Sequence, residues 1–245
     1  MTGTEASQTA AGFAERDLTV HETRVRVLAA GAGRPLLYLY DSADLGLWSP
    51  LLSGLAGQFA VWRPDHPGFN ASADGADIDS VHELAFFYLD LMDELGLDRV
   101  ILAGARGIRT DEHVPDIFLL SPAELAELTY HTDEARAAAR VQAEQLADDP
   151  GRFERYLRNR SATAHLGWNP YLHDPKLPRR LHRATAPALI LWGAQDRLLP
   201  VRHARRWAEL LPCTQVAVIR DAGHLPLAEQ PGVSLQAILT FCGEN

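Results

Sequence analysis

Short apolar runs alternate with longer helical stretches along nearly all of this chain, and that rhythm leaves few ways to fold. Pro35-Leu-Leu-Tyr-Leu-Tyr40 is a continuous apolar run, the pattern of a strand buried on both faces. Phe59–Trp62, Val100–Ala103, Ala188–Trp192 and Gln215–Ile219 read as further strands. The clearest helix spans 79–95. Asp79 or Ser80 can cap it, apolar residues recur at Val81, Leu84, Phe87, Leu91 and Leu95, and Gly96 ends it. Shorter helices are predicted over Leu47–Leu55, 176–184, 200–211 and 233–241. Residues 121–165 are charged, Ala-rich and helical, opening on Ser121-Pro122 as cap and first turn. The alternating runs DLTVH and RVRVLAA predict an antiparallel hairpin with Thr23 beside its turn. Strands alternating with helices predict an α/β fold, a mostly parallel sheet with helices on both faces.

The 245 residues, 47% of them hydrophobic, suffice for one domain with a large core. The reading is a single domain over 17–245 behind a flexible tail at 1–16. No apolar run approaches the roughly 18–20 residues of a membrane span, so no membrane partner is expected. MTGTEASQTA lacks the basic start and apolar stretch of a secretory signal. A net charge of −9 with no basic face argues against a nucleic-acid partner. Two cysteines, Cys213 and Cys242, make neither a disulfide framework nor a C-x-x-C pair, which predicts a reduced, cytoplasmic setting. The histidines show no metal-ligand spacing, so neither a metal nor another cofactor is expected. Oligomeric state is not legible.

In parallel sheets, ligands sit at the carboxyl ends of the strands. Two strand ends here carry chemistry. Asp196 follows Leu189-Ile-Leu-Trp-Gly-Ala-Gln, and His224 follows Val216-Ala-Val-Ile-Arg-Asp-Ala-Gly. An acid followed by a histidine, each just past a strand, suits the last two members of a Ser…Asp…His triad. The imidazole moves a proton near neutral pH and the carboxylate holds it in one tautomer. An Asp after a strand is also a common turn former, and a lone His is commonly structural, so the weight lies in the pair.

With Arg63-Pro-Asp-His-Pro-Gly-Phe69, Leu95-Gly-Leu-Asp-Arg-Val-Ile-Leu102, Leu191-Trp-Gly-Ala-Gln-Asp196 and Asp221-Ala-Gly-His224, the chain resembles the α/β-hydrolase superfamily from about residue 17 on. The likeness is to its single-domain bacterial branch of esterases and C–C bond hydrolases, which carry a helical cap. It implies that Asp196 and His224 are the triad acid and base and that residues of about 115–180 form the cap. It implies a small-molecule substrate, an ester or a C–C/carbonyl compound. The loop after Tyr40, with Asp41 and Ser42, would supply part of the oxyanion hole. Trp168 with Asn169-Pro170 would line the cap side of a substrate pocket or pack within the cap.

The family's G-x-S-x-G nucleophile elbow is not found. The strand Val100–Ala103 runs into Gly104-Ala-Arg-Gly-Ile108, which puts Arg106 in the nucleophile position. A guanidinium is always protonated and cannot attack. The elbow, its helix and one strand read as missing, a unit of about 30 residues. The expected fold is therefore an α/β-hydrolase-like sheet lacking one central strand and helix. Ser42 and Ser234 are the candidate substitutes. Ser234 reads as a helix-start residue and Ser42 as a turn residue, while Cys213 and Cys242 are not poised. Asp41 stands where the family usually has glycine, and its charge would oppose an oxyanion. His66 and Asp65 read as shaping a loop. Three accounts follow: an enzyme with an unusual nucleophile or a His-activated water, a non-catalytic ligand-binding descendant, or a deletion or gene-model product of an ordinary hydrolase.

Overall fold

Local signals set the helix ends in the computed structural model, which describes residues 7–8, 12–20, 22–40, 47–75, 77–96 and 100–243. In chain order the strands are β1 (Ser7–Gln8), β2 (Ala14–Val20), β3 (Thr23–Ala30), β4 (Arg34–Leu37), β5 (Phe59–Pro64), β6 (Val100–Ala103), β7 (Ala188–Gly193) and β8 (Thr214–Ile219). The α-helices are α1 (Pro50–Ala56), α2 (Val81–Leu95), α3 (Pro122–Thr129), α4 (Asp133–Glu144), α5 (Pro150–Gly167), α6 (Arg202–Leu210), α7 (Pro226–Glu229) and α8 (Pro231–Gly243). Ser80 caps α2 through the Glu83 N–H, and Gly96 closes it at φ 66°, a left-handed conformation that glycine adopts without a Cβ penalty. Ser121 caps α3, with Glu124 reaching back to the cap N–H, a reciprocal pair of bonds that ties off two orphan donors.

The chain divides into two units. The first comprises Met1–Leu97 and Pro150–Trp168, the second Asp98–Asp149 and Asn169–Asn245. Of the helices within 115–180, α3 and α4 belong to the second unit and α5 to the first. The basic stretch 176–184 folds as two single turns of 3-10 helix rather than a continuous helix.

In the first unit five strands run in the order β1-β2-β3-β5-β4. The β2–β3 hairpin pairs Val20 with Thr23 at its tight end, as the alternating runs predict. Strand β2 begins at Ala14, inside the segment expected to be a tail, and Ser7–Gln8 pair with it. Only β4 and β5 are parallel here. Leu18, Val20, Val25 and Val27 pack against Phe87, Tyr88 and Leu91 of α2. Each such side chain contributes roughly 1.5–3 kcal/mol on leaving water. The run Pro35–Tyr40 is not buried throughout: the strand ends at Leu37, residues 35–38 are half-buried, and Leu39 is 45% exposed. The reason is position, because β4 pairs with β5 alone among the described strands and so forms an edge.

Asp65, at the end of β5, organises the loop that follows. Its carboxylate accepts from Arg26 Nε (2.7 Å), Arg63 Nη1 (3.1 Å), the Tyr40 hydroxyl (3.2 Å) and Asn70 Nδ2 (3.2 Å). His66 touches the Tyr88 hydroxyl through Nδ1 and the Tyr40 carbonyl through Nε2. Both residues therefore shape the loop, as expected. Helix α5 docks on it through a reciprocal Asn70–Asn159 amide pair and through Arg158, which donates to the Gly68 and Ser72 carbonyls.

The second unit is built on an all-parallel sheet, β6-β7-β8. Every residue of the central strand β7 is buried, the burial its continuous apolar run predicts. Ile190 and Trp192 pack with Leu199, Ala204 and Trp207. Both indoles are satisfied: Trp192 donates to the Leu199 carbonyl (2.8 Å) and Trp207 to the Ala105 carbonyl (3.1 Å).

Candidate active site

Strand β7 delivers Asp196. After Gly193 the chain turns, and the carboxylate Oδ1 accepts from the N–H groups of Leu198 (2.9 Å) and Leu199 (2.8 Å). The other oxygen, Oδ2, lies 2.8 Å from His224 Nδ1. Strand β8 delivers His224 through a turn in which Asp221 has φ 53°. Both side chains are buried, Asp196 at 6% exposure and His224 at 5%. The hydrogen bond expected from their order in the sequence is therefore present. It puts a proton on Nδ1 and leaves Nε2, which has no partner among the described residues, as the nitrogen that can take up or release one.

The sequence pattern of the alpha/beta hydrolase fold family matches residues 105–231, more than half of the chain. The chain belongs to the alpha/beta hydrolase fold family. It is 27% identical over 237 residues to carboxylesterase YbfK of Bacillus subtilis, a match that covers 84% of this chain and 78% of that protein. It is 25% identical over 247 residues to the 2-hydroxy-6-oxo-6-phenylhexa-2,4-dienoate hydrolase of Burkholderia cepacia, covering 82% and 85% of the two. Among solved structures, the enzyme of the same description from Rhodococcus sp. strain RHA1 superposes with a TM-score of 0.74 at 17% identity, over 97% of this chain and 99% of that one. That likeness establishes the fold.

Three contacts hold the histidine loop of this family member. The His224 N–H donates to the Thr129 carbonyl at the end of α3 (2.7 Å). The Glu229 carboxylate accepts from the Gly223 N–H (2.5 Å) and the His131 N–H (2.6 Å), so one side chain ties the histidine loop to the α3–α4 link. Ala222 and Gln195 join the acid and histidine loops by two further bonds, of 3.0 and 3.2 Å. Sequence reading missed Glu229 and Thr129. Glu229 lies five residues after His224, just ahead of the helix opened by Pro231, but its partner at 131 is set by tertiary structure alone. Replacing Glu229 with Gln leaves one acceptor for two donors. The expected cost is about 1–3 kcal/mol, read by thermal melting, with faster hydrogen exchange at the Gly223 and His131 amides.

The backbone after β6 reaches the same place. Gly104 has φ 56°, and a Cβ built on it would stand 2.8 Å from the His224 carbonyl oxygen and 3.2 Å from its Cε1. Arg106, expected to stand in the nucleophile position, lines a pocket that neither Asp196 nor His224 lines. No serine, threonine or cysteine side chain is hydrogen-bonded to His224 among the described residues. Ser234 is fully buried in α8 and donates to the Pro226 carbonyl (2.9 Å), a structural bond. Cys213 is exposed and Cys242 half-buried. Asp41 and Ser42, the expected oxyanion-loop residues, lie outside the described residues. Trp168 follows the end of α5 with 61% of its surface exposed. No group of His, Cys, Asp and Glu that could hold a metal occurs among the described residues. Nor is any described helix long and apolar enough to cross a membrane.

Proposed function

We propose that this alpha/beta hydrolase keeps the acid–base half of a hydrolytic triad, Asp196 and His224, directed at small ester or C–C/carbonyl substrates, and that it lacks the nucleophile. The observation that carries this reading is the buried 2.8 Å bond from His224 Nδ1 to Asp196, with Nε2 left open. The esterase and C–C hydrolase relatives support the substrate class. Loss of the elbow segment is supported in two ways. The match to the carboxylesterase runs over 237 residues yet uses 84% of this chain, roughly 206 residues, so about 30 aligned positions have no counterpart here. In addition, each sheet ends on a parallel strand paired on one side only among the described strands, β4 in the first and β6 in the second.

Ester hydrolysis by this chain is expected to be very weak. An acyl-enzyme needs a nucleophile beside the base. Without one, a well-formed protease site retains about 10³–10⁴-fold over water, and the remainder here should be smaller. The measurement is turnover of p-nitrophenyl acetate by the purified protein, beside His224→Ala. The expected result is a rate close to buffer in both. Robust turnover abolished by His224→Ala, or stoichiometric labelling by a fluorophosphonate at one serine, would overturn the missing-nucleophile reading and point first to Ser42.

A further inference from the structure

A pocket of about 260 Å³ lies within the second unit, walled by the loop after β6, the segment around Tyr171–His173 and the chain leading into α6. Its chemistry is unlike that of an apolar substrate pocket. Arg106 and Arg109 line it, and neither guanidinium is hydrogen-bonded or ion-paired among the described residues. Glu112 also lines it, and its Oε2 is buried with no hydrogen-bond donor among the described residues. A buried polar atom left without a partner costs about 1–3 kcal/mol, and more when it is charged. A group in that condition is accounted for when a ligand supplies the donor.

His203 completes the floor. Its ring is 1% exposed, Nδ1 donates to the Pro200 carbonyl (3.1 Å), and Nε2 faces the Thr110 hydroxyl at 3.4 Å. Burial pushes the imidazole's pKa down, so the ring is neutral and Nε2 is an acceptor. With Nε2 facing Thr110, the wall offers a ligand two guanidinium donors and one unsatisfied carboxylate oxygen. A simple carboxylate would satisfy the arginines and leave Glu112 unsatisfied. A simple amine would satisfy Glu112 and be repelled by Arg106 and Arg109. Only a molecule with both groups answers the whole set.

We propose that this pocket is a second, non-catalytic binding site for a small organic acid that also carries a hydrogen-bond donor, of the hydroxy-acid or amino-acid kind. Its carboxylate sits on Arg106 and Arg109, and its hydroxyl or ammonium donates to Glu112 Oε2. The volume suits a compact metabolite rather than a long acyl chain, lying below the 300–1,000 Å³ common for drug-sized ligands. The site is independent of the proposed hydrolytic chemistry, since neither Asp196 nor His224 lines it.

The test is titration of the isotope-labelled full chain by NMR with four probes of similar size: propionate, isopropylamine, L-lactate and L-alanine. Lactate or alanine should bind saturably, with a Kd about tenfold or more below those of propionate and isopropylamine, the factor expected for one charge-assisted hydrogen bond. Shifts should centre on residues 106–114 and 199–203. A lactate preference assigns the hydroxy-acid form and an alanine preference the amino-acid form. Glu112→Gln should erase the advantage over propionate, and Arg109→Gln, at an exposed position, should weaken every acid. Without ligand, Glu112→Gln should melt no lower than the parent. The proposal is overturned if no probe binds saturably, if propionate binds as tightly as lactate and alanine, or if the preference survives Glu112→Gln. Should Glu112→Gln fail to fold, equal binding of all acids to the parent and to Arg109→Gln overturns it just as well.

Discussion

Replacing Asp65 with alanine is expected to destabilise the protein by about 3–5 kcal/mol, the range for breaking a buried ion pair from one side. Asp65 and Arg63 are both fully buried, with Arg63 Nη1 3.1 Å from Asp65 Oδ1 and its guanidinium carbon 4.1 Å from the Tyr40 ring centre. Without Asp65, a guanidinium remains in a dry interior without the carboxylate that neutralises it. Arg26 loses its 2.7 Å partner at the same time, and the Tyr40 hydroxyl and Asn70 amide lose their shared acceptor. The Tyr40 phenol is held well above its ordinary pKa by burial and by the Asp65 charge, so it stays a neutral donor to that carboxylate. At roughly 2–4 °C per kcal/mol for a chain of this size, the midpoint of thermal unfolding should fall on the order of 10 °C. Calorimetry on Asp65→Ala and Asp65→Asn measures it. The Asn variant keeps an acceptor and should lose less. A change within about 1 °C for Asp65→Ala would mean that the buried pair contributes nothing net.

Gly193→Ala should be nearly as damaging and should also open the candidate active site. A Cβ at Gly193 would fall 1.8 Å from the Gly223 carbonyl oxygen and 2.5 Å from that of Ala222. Both obstacles are backbone, so no rotamer change relieves them. Overpacking of a rigid interior typically costs about 1–3 kcal/mol, and the upper end applies where only the main chain can yield. The segment that must move carries His224. Displacing it lengthens the 2.8 Å bond to Asp196, so the variant should lose both stability and the hydrogen-bonded imidazole proton. A thermal midpoint lower by about 6–12 °C and loss of the downfield His224 Nδ1–H resonance are the expected readings. A variant that melts like the parent and keeps that resonance would refute the close approach.

Much of this was legible because it is local. The cap at Ser80 and the stop at Gly96 lie within a turn of the groups they satisfy, so the α2 boundaries follow from neighbouring residues. The buried strand β7 is legible because a strand flanked on both sides and covered on both faces must be apolar throughout. Pro35–Tyr40 departs from that rule. Its apolar run is equally continuous, yet β4 pairs on one side only among the described strands. A run of side chains records what a strand is suited to, and the pairing partner decides whether that burial is realised.

The order of strands and helices, the family, and an acid and a histidine at successive strand ends can all be read from the chain. These depend on residue type at short spacing, and backbone geometry then carries Asp196 and His224 to adjoining loops. What meets across long separations is set by packing. Asn70 pairs with Asn159, 89 residues on, and through it α5 joins the first unit rather than α3 and α4. Glu229 reaches back 98 residues to His131, and Glu112, its Oε2 buried, comes to line one pocket with a neutral His203. Such contacts leave no period or motif in the chain. Polar side chains suit solvent as readily as a partner, and the choice is made by which segments the packed core brings within about 3 Å of one another.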